Sequence, residues 1–261
     1  MNYKLKEQLR IFVTNDDGVN AKGLAALIEM VQPYGKVYVL APMSGNSGMS
    51  QAVTFSTPVR LKRIREDENL KIYACSGTPA DCVKLAFSHI LPEKTADILV
   101  SGINHGTNSS ASVLYSGTLA AATEGIMYYV PSIGFSLCDH DPDADFSACI
   151  QLGRKIIDKV LSENFGIDSY LNVNFPKLPL SEIKGIKICR QAKGVWREEF
   201  EKRIDPQGAD YYWLTGNYVN EEPDAADTDE TWLAKGYATI VPQTLDMTSY
   251  AELDKMNRWN L

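Results

Sequence analysis

Short apolar runs alternate with longer helical patterns through the first half of the 261-residue chain, and this alternation constrains the fold more than any other feature. Apolar runs at residues 10–13, 36–40, 71–75 and 98–100 are typical of buried strands. Strands that alternate with helices favour a parallel sheet covered on both faces. We therefore predict an α/β fold, a Rossmann-like three-layer sandwich with a mostly parallel sheet.

Polar loops that contain glycine follow these predicted strands. They begin at Thr14, Pro42, Ser76 and Ser101. In the third loop, Thr78 is placed as an N-cap with Pro79 at the first helical position, so a helix is predicted to begin there. Open α/β sheets bind ligands at the carboxyl ends of their strands. The sequence therefore predicts one cleft to which all four loops contribute.

The pattern changes at about Lys184. Alternating segments at residues 186–188 and 211–214, and a final strand-like segment at 237–241, predict antiparallel structure. We expect an α/β core over residues 1–183 and a β-rich C-terminal extension with a returning strand and tail over 184–261. Three of the four tryptophans, Trp196, Trp213 and Trp232, lie among the predicted strands of the extension, and aromatic-rich extensions often form oligomer interfaces. A homodimer or homotetramer is expected.

Composition excludes several classes of protein. Hydrophobic residues make up 44% of the chain, yet no apolar stretch is long enough for a membrane helix. The polar amino terminus lacks the apolar region of a signal peptide, so a soluble cytoplasmic protein is expected. Five cysteines without a C-x-x-C pair argue against a disulfide framework and a zinc site. Residues 221–230 carry six acidic side chains and no basic one, which is −6 of the net −7, and long nucleic acid is an unsuitable partner.

Oxygen-bearing side chains are concentrated in the predicted cleft. Asp16 and Asp17 follow the first strand, Asn46 and Ser47 lie in the second loop, and Asn104 lies in the fourth. Two carboxylates, a hydroxyl and an amide suit a hard cation, Mg²⁺ or Mn²⁺ with Ca²⁺ as a further option. The alternative is that one aspartate caps the following helix and the other is solvated, while Asn46, Ser47 and Asn104 are ordinary turn residues.

Glycine-bearing loops add the features of a phosphate site. The segments 45–48, 102–106 and 116–118 let backbone N–H groups approach an anion, and the last precedes a helix whose amino end favours negative charge. Helix capping by Ser116 or Thr118 is an alternative that is compatible with phosphate binding. Neither G-x-G-x-x-G after a strand nor G-x-x-x-x-G-K-S/T is present, which argues against a Rossmann dehydrogenase and a P-loop NTPase.

Five motifs in order resemble the survival protein E (SurE) family of metal-dependent 5′/3′-nucleotidases. They are IFVTNDDGVNAKGL, APMSGNSGMSQAVTF, CSGTPADCV, DILVSGINHGTN and YSGTLAAATEG. The resemblance continues into the extension with DPQGADYYWL and DTDETWLAKGYATIVPQTLDMT, so it covers nearly the whole chain.

The resemblance implies roles for individual residues. The family's metal ligands fall on Asp16, Asp17, Ser47 and Asn104. Its anion-binding loop falls on Ser116, Gly117 and Thr118, with Asn108 nearby. Asn46, Ser47 and Asn104 are also expected to contact the substrate phosphate. Asp16 and Asp17 are the catalytic candidates, and Asp16 is preferred for orienting or deprotonating the attacking water.

The implied reaction is hydrolysis of nucleoside 5′- and 3′-monophosphates to nucleoside and phosphate. His105 departs from the family pattern at a position where many members have Arg; phosphate binding, proton donation and no direct role are all open for this side chain. His89 and His140 lie outside the motifs, and we expect both to be structural or solvated. A non-catalytic nucleotide sensor and a phosphomonoesterase of other specificity, including short polyphosphate, are alternatives on the same cleft.

Overall fold

The computed structural model describes residues 8–163, 165–197 and 199–259. Numbered in chain order over those residues, the strands are β1 (Leu9–Thr14), β2 (Gly35–Pro42), β3 (Leu61–Glu66), β4 (Leu70–Cys75), β5 (Ile98–His105), β6 (Ser132–Leu137), β7 (Ser169–Phe175), β8 (Ile186–Ile188), β9 (Gly194–Arg197), β10 (Phe200–Ile204), β11 (Asp210–Leu214), β12 (Asn217–Asn220) and β13 (Ala238–Thr244). The α-helices are α1 (Lys22–Val31), α2 (Pro79–Leu85), α3 (Gly117–Met127), α4 (Ser147–Ser162), α5 (Asp229–Ala234) and α6 (Tyr250–Met256).

Nine of these strands form one central sheet within the described residues, in the order β3-β4-β2-β1-β5-β6-β7-β13-β8. Neighbouring strands are parallel except at two places, β3 against β4 and β13 against β7. Alternate side chains of β1 enter different cores: Ile11 and Val13 pack in the core that includes α1 and α4, whereas Phe12 packs in the core that includes α2. Helices therefore cover both faces, and the predicted three-layer α/β fold is confirmed.

The predicted start of α2 is also confirmed. Thr78 accepts a hydrogen bond from the backbone N–H of Asp81, while the Asp81 side chain accepts one from the N–H of Thr78. This reciprocal capping box satisfies two N–H groups that the first helical turn leaves without partners.

In the described part of the chain, no helix is long and apolar enough to cross a membrane.

One strand of the extension runs in the opposite sense to the expectation. Residues 186–188 form β8, which is parallel to β13, so the prediction of antiparallel structure at this segment is wrong. The reason is that β13, which is antiparallel to β7, returns to the central sheet between β7 and β8, so β8 runs opposite to β7 and in the same direction as its neighbour β13.

The remaining strands of the extension are antiparallel, as predicted. β9 pairs with β12, and β10 pairs with β11, in two separate two-stranded sheets. The division of the chain between residues 183 and 184 stays a prediction, with β13 as the returning strand. That strand hydrogen-bonds to β7 of the core.

Asp229 joins the extension to the core. Its side chain is fully buried and accepts hydrogen bonds from three backbone N–H groups, those of Ser110 at 2.9 Å, Ala192 at 2.9 Å and Glu230 at 2.8 Å. Ser110 belongs to the loop between β5 and α3, and Ala192 precedes β9. A single carboxyl group therefore fixes the extension against a loop of the core.

We expect Asp229→Ala to lower the free energy of unfolding by about 3 kcal/mol or more, because three buried N–H groups lose their acceptor. Urea unfolding followed by circular dichroism measures this change. Asp224→Ala is the matched control: Asp224 is exposed in the same acidic segment, and its removal should change stability by less than about 0.5 kcal/mol. Equal effects of the two substitutions would contradict the role assigned to Asp229.

Candidate active site

The loop after β1 turns tightly around Gly18. The buried Asn15 side chain closes the turn, since its Nδ2 donates to the Gly18 carbonyl at 3.0 Å and its Oδ1 accepts from the Gly18 N–H at 3.3 Å. Gly18 has φ +100°, a conformation that glycine adopts without strain. The turn places Asp16 and Asp17 at the carboxyl end of a central strand.

The loop after β2 packs directly against this aspartate turn. The backbone N–H of Asn46 donates to the Asp16 carbonyl at 2.7 Å, and the N–H of Val19 donates to the Pro42 carbonyl at 2.8 Å. These two hydrogen bonds fix the second loop, which carries Asn46 and Ser47, beside the first. Ser47 is exposed and Asn46 is half-buried.

The start of α3 approaches Asp16 more closely than any residue larger than glycine would allow. A Cβ atom on Gly117 would lie 2.7 Å from the Asp16 Cβ. The Thr118 hydroxyl donates to Asp16 Oδ1 at 2.5 Å. Ser116 caps the helix by accepting from the Leu119 N–H at 3.1 Å. The predicted anion loop therefore lies against the first aspartate, and the helix-capping alternative for Ser116 is confirmed, whereas anion binding stays a prediction.

The end of β5 contributes Asn104 and His105. The His105 backbone N–H donates to Asp17 Oδ2 at 3.3 Å. The Asn104 Nδ2 donates to the Gly106 carbonyl at 2.8 Å, so Oδ1 is the atom of this amide that can coordinate a cation. The peptide bond between Gly102 and Ile103 is cis, and the pairing of β5 with β6 shifts register just before Asn104.

Asn108 lies in a buried network of amides rather than in an exposed loop. Its Nδ2 donates to Ser136 Oγ at 2.8 Å, and its backbone N–H donates to Asn174 Oδ1 at 2.8 Å. Asn172 Nδ2 donates to the Asn108 carbonyl at 2.8 Å. Sequence reasoning did not identify Asn172 and Asn174, although polar residues at alternate positions of the apolar segment LNVNF could have indicated them. This network holds the loop that follows Asn104.

The two aspartates need a source of positive charge. Burial raises the pKa of the Asp16 carboxyl to about 6, and the neighbouring charge of Asp17 adds to that shift while the Thr118 hydrogen bond opposes it. Burial also raises the pKa of Asp17. A carboxylate in this position is stabilised by a nearby cation. The residues therefore fit a bound divalent ion.

The donor set determines the kind of ion that would fit. Among the described residues, no cluster of three or more His, Cys, Asp and Glu side chains is placed to hold a metal. A cation at Asp16 and Asp17 would thus also need neutral oxygen ligands. Ser47 in the loop after β2 and Asn104 at the end of β5 lie in the two segments that contact the aspartate turn. Carboxylate, hydroxyl and amide oxygens together suit Mg²⁺ or Mn²⁺ and are unsuited to a zinc site of thiolates and imidazoles.

A cleft of about 470 Å³ opens beside Asp16. On the core side it is lined by Ser47, Asn104 and the residues around Ser116. The other wall comes from the extension and consists of Trp196, Glu199, Leu214 and Thr215. Sequence reasoning missed this wall.

His140 also lines the cleft. Its ring lies against Gly106, where an added Cβ would be 2.2 Å from the His140 Cε1. His140 is exposed, and its expected structural or solvated role stays a prediction.

The fold and this edge of the sheet define an α/β protein with a candidate divalent-cation site at the carboxyl ends of its parallel strands. The sequence profile of the family described as survival protein SurE matches residues 11–198. The chain belongs to the SurE family.

Full-length relatives support the assignment. The protein described as 5′-nucleotidase SurE from Flavobacterium psychrophilum is 48% identical over 96% of this chain and 97% of its own length. The protein of the same description from Christiangramia forsetii is 47% identical over 98% of each chain. The crystal structure of the SurE protein from Aquifex aeolicus matches with a TM-score of 0.82 at 36% identity, covering 95% of this chain and 98% of that chain.

We expect Mn²⁺ or Mg²⁺ to stabilise the folded protein, because a ligand that binds only the folded state stabilises it by about 2.7 kcal/mol at 100 times its Kd. Thermal unfolding with the metal, compared with unfolding in EDTA, measures the effect. Asp17→Asn should abolish the stabilisation, whereas Asp168→Asn, at an exposed position distant in sequence, should preserve it. Metal stabilisation that survives in Asp17→Asn would place the ion elsewhere.

Proposed function

We propose that this protein hydrolyses nucleoside 5′-monophosphates to nucleoside and inorganic phosphate. The observation that supports this most strongly is that the loop after β2 and the start of α3 both contact Asp16, which lines a cleft large enough for a nucleotide. The relatives described as 5′-nucleotidases match the chain over almost its full length. The family resemblance extends the proposal to nucleoside 3′-monophosphates.

Asp16, Asp17, Ser47 and Asn104 are the residues that would hold one divalent ion, Mg²⁺ or Mn²⁺. When bound, such an ion neutralises charge on the phosphoryl group and lowers the pKa of water. The Thr118 hydroxyl fixes the Asp16 carboxyl, and the His105 backbone N–H fixes that of Asp17. These two hydrogen bonds orient both carboxyl groups before substrate arrives.

The substrate phosphate would lie in the cleft, beside Asp16 and Ser116. Backbone N–H groups at the amino end of a helix bind phosphate oxygens, and Ser116, Gly117 and Thr118 form that end. Ser47 of the second loop, Asn104 at the end of β5 and Asn108 of the loop after β5 line the same cleft. Asn46, next to Ser47, donates its backbone N–H to the Asp16 carbonyl. Asp16 would orient the attacking water, since it is the carboxyl closest to this helix end.

His105 takes a positioning role in this proposal. Its backbone N–H contacts Asp17, and its ring packs edge-on against Phe146 at 5.1 Å between centroids. The ring therefore supports the loop that carries Asn104.

We expect the protein to release phosphate from AMP in the presence of Mg²⁺ or Mn²⁺ and to lose this activity in EDTA. Asp17→Asn should reduce kcat/KM by roughly 100-fold or more, because loss of one preorganised charge at a reacting phosphoryl group costs at least that much. The measurement is a colorimetric phosphate assay on purified wild-type, Asp17→Asn and Asp168→Asn proteins. Nucleotide binding without phosphate release would identify a sensor instead of an enzyme.

The extension is also the surface we propose for self-association. The hairpin formed by β10 and β11 exposes large apolar side chains on both strands. They include Phe200, Ile204, Tyr212, Trp213 and Leu214, which are 56–69% exposed. Exposed apolar groups concentrated on one element are typical of an interface between chains. A second copy of this chain is the proposed partner, in a dimer or tetramer.

Light scattering after gel filtration should give two or four times the mass of one chain. Phe200→Glu should shift the protein toward the monomer, because a charge would be buried without a partner at the interface. Ile167→Glu introduces the same charge at an exposed position outside the extension and should leave the mass unchanged. A monomeric wild-type protein would contradict the proposal.

A further inference from the structure

The wall of the cleft that faces away from the core is built by the extension. Trp196 lies on β9, and Leu214 is the last residue of β11. Glu199 directly precedes the hairpin of β10 and β11, and Thr215 directly follows it. A phosphate group at Asp16 fills only a small part of a 470 Å³ cleft. The rest of the cleft, bordered by Trp196, is therefore available to the group that the phosphate esterifies.

The indole of Trp196 is held in place by the core. It pairs across the strands with Tyr218, and the two rings meet at 65° with 6.0 Å between their centroids. The Tyr218 hydroxyl donates to Ser110 Oγ at 2.7 Å, and the Ser110 backbone N–H is bound by Asp229. Trp196 nevertheless remains 41% exposed. A planar ligand can stack on an aromatic ring that is held in place and still has an accessible surface.

The charge of this wall favours a nucleoside over further phosphate groups in the outer part of the cleft. Among the described residues that line the cleft there is no Lys or Arg, and the wall itself carries Glu199. A chain of phosphates beyond the first would face this carboxylate without the Arg or Lys partners that bind phosphate groups. A neutral nucleobase is not repelled by this carboxylate, and it can stack on the indole of Trp196.

We infer that Trp196 is the surface on which the nucleobase of the substrate stacks, and that this contact makes nucleoside monophosphates better substrates than base-free phosphoesters or inorganic polyphosphate. The inference rests on the proposed nucleotidase function. It assigns substrate preference to the extension, whereas phosphate is bound by the core.

The test compares kcat/KM for AMP with kcat/KM for ribose 5-phosphate, which keeps the sugar and the phosphate but has no base. Trp196→Ala should lower the ratio of these two constants about five-fold or more, since stacking of one base on an aromatic side chain contributes at least that factor. Trp196→Phe should keep most of the ratio because it keeps an aromatic face. Trp259→Ala removes an exposed tryptophan outside the cleft lining and is the matched control.

The wild-type protein should also hydrolyse tripolyphosphate at least about ten-fold less efficiently than AMP, as expected for a cleft wall without cationic side chains. A ratio unchanged in Trp196→Ala, or tripolyphosphate used as well as AMP, would overturn the inference while leaving the proposed phosphatase activity in place. Failure of the wild-type protein to release phosphate from any of the three compounds would overturn the proposed function, and the inference with it.

Discussion

The buried carboxyl group of Asp16 is the point on which the candidate site depends. The residue is 3% exposed. Its backbone carbonyl accepts a hydrogen bond from the Asn46 N–H of the second loop, and its carboxyl group accepts one from the Thr118 hydroxyl at the start of α3. Gly117 allows the helix to approach because any Cβ there would overlap the aspartate. Three segments distant in sequence therefore meet at one acidic group, whose raised pKa shows how little its surroundings offset a negative charge.

The acidic segment at residues 221–230 has a structural role that its composition conceals. It carries −6 of the net −7, which suggests a solvated loop. In the structure, Glu222 and Asp227 both pair with Arg190, and Asp229 is buried against three backbone N–H groups. Hydrogen bonds from Arg190 lower the pKa of Glu222 to about 2. Much of the charge in this segment thus positions the extension, and through Tyr218 it positions the outer wall of the cleft.

Local sequence signals were sufficient to predict the fold class and the side of the sheet that carries the polar loops. Alternation of apolar strands with helices is a property of each segment by itself, and the carboxyl ends of parallel strands share an edge whatever their order. The Thr78 cap was predictable for the same reason, since the cap and its partner Asp81 are three residues apart.

Features that depend on distant contacts were not predictable from local patterns. The parallel direction of β8 follows from the insertion of β13 beside it, about fifty residues later in the chain. β3 was missed because all six of its residues are exposed, so no buried face marks it as a strand. The position of Trp196 at the cleft depends on the hydrogen bond from Tyr218 to Ser110, which joins residues 108 positions apart.

We propose that the aspartate turn, Ser47 and Asn104 bind one divalent ion. Anomalous diffraction from crystals soaked in Mn²⁺ locates such an ion directly. We expect a single strong peak with oxygens of Asp16, Asp17, Ser47 and Asn104 at roughly 2.0–2.6 Å. A peak at another position, or no peak at a saturating Mn²⁺ concentration, would contradict it.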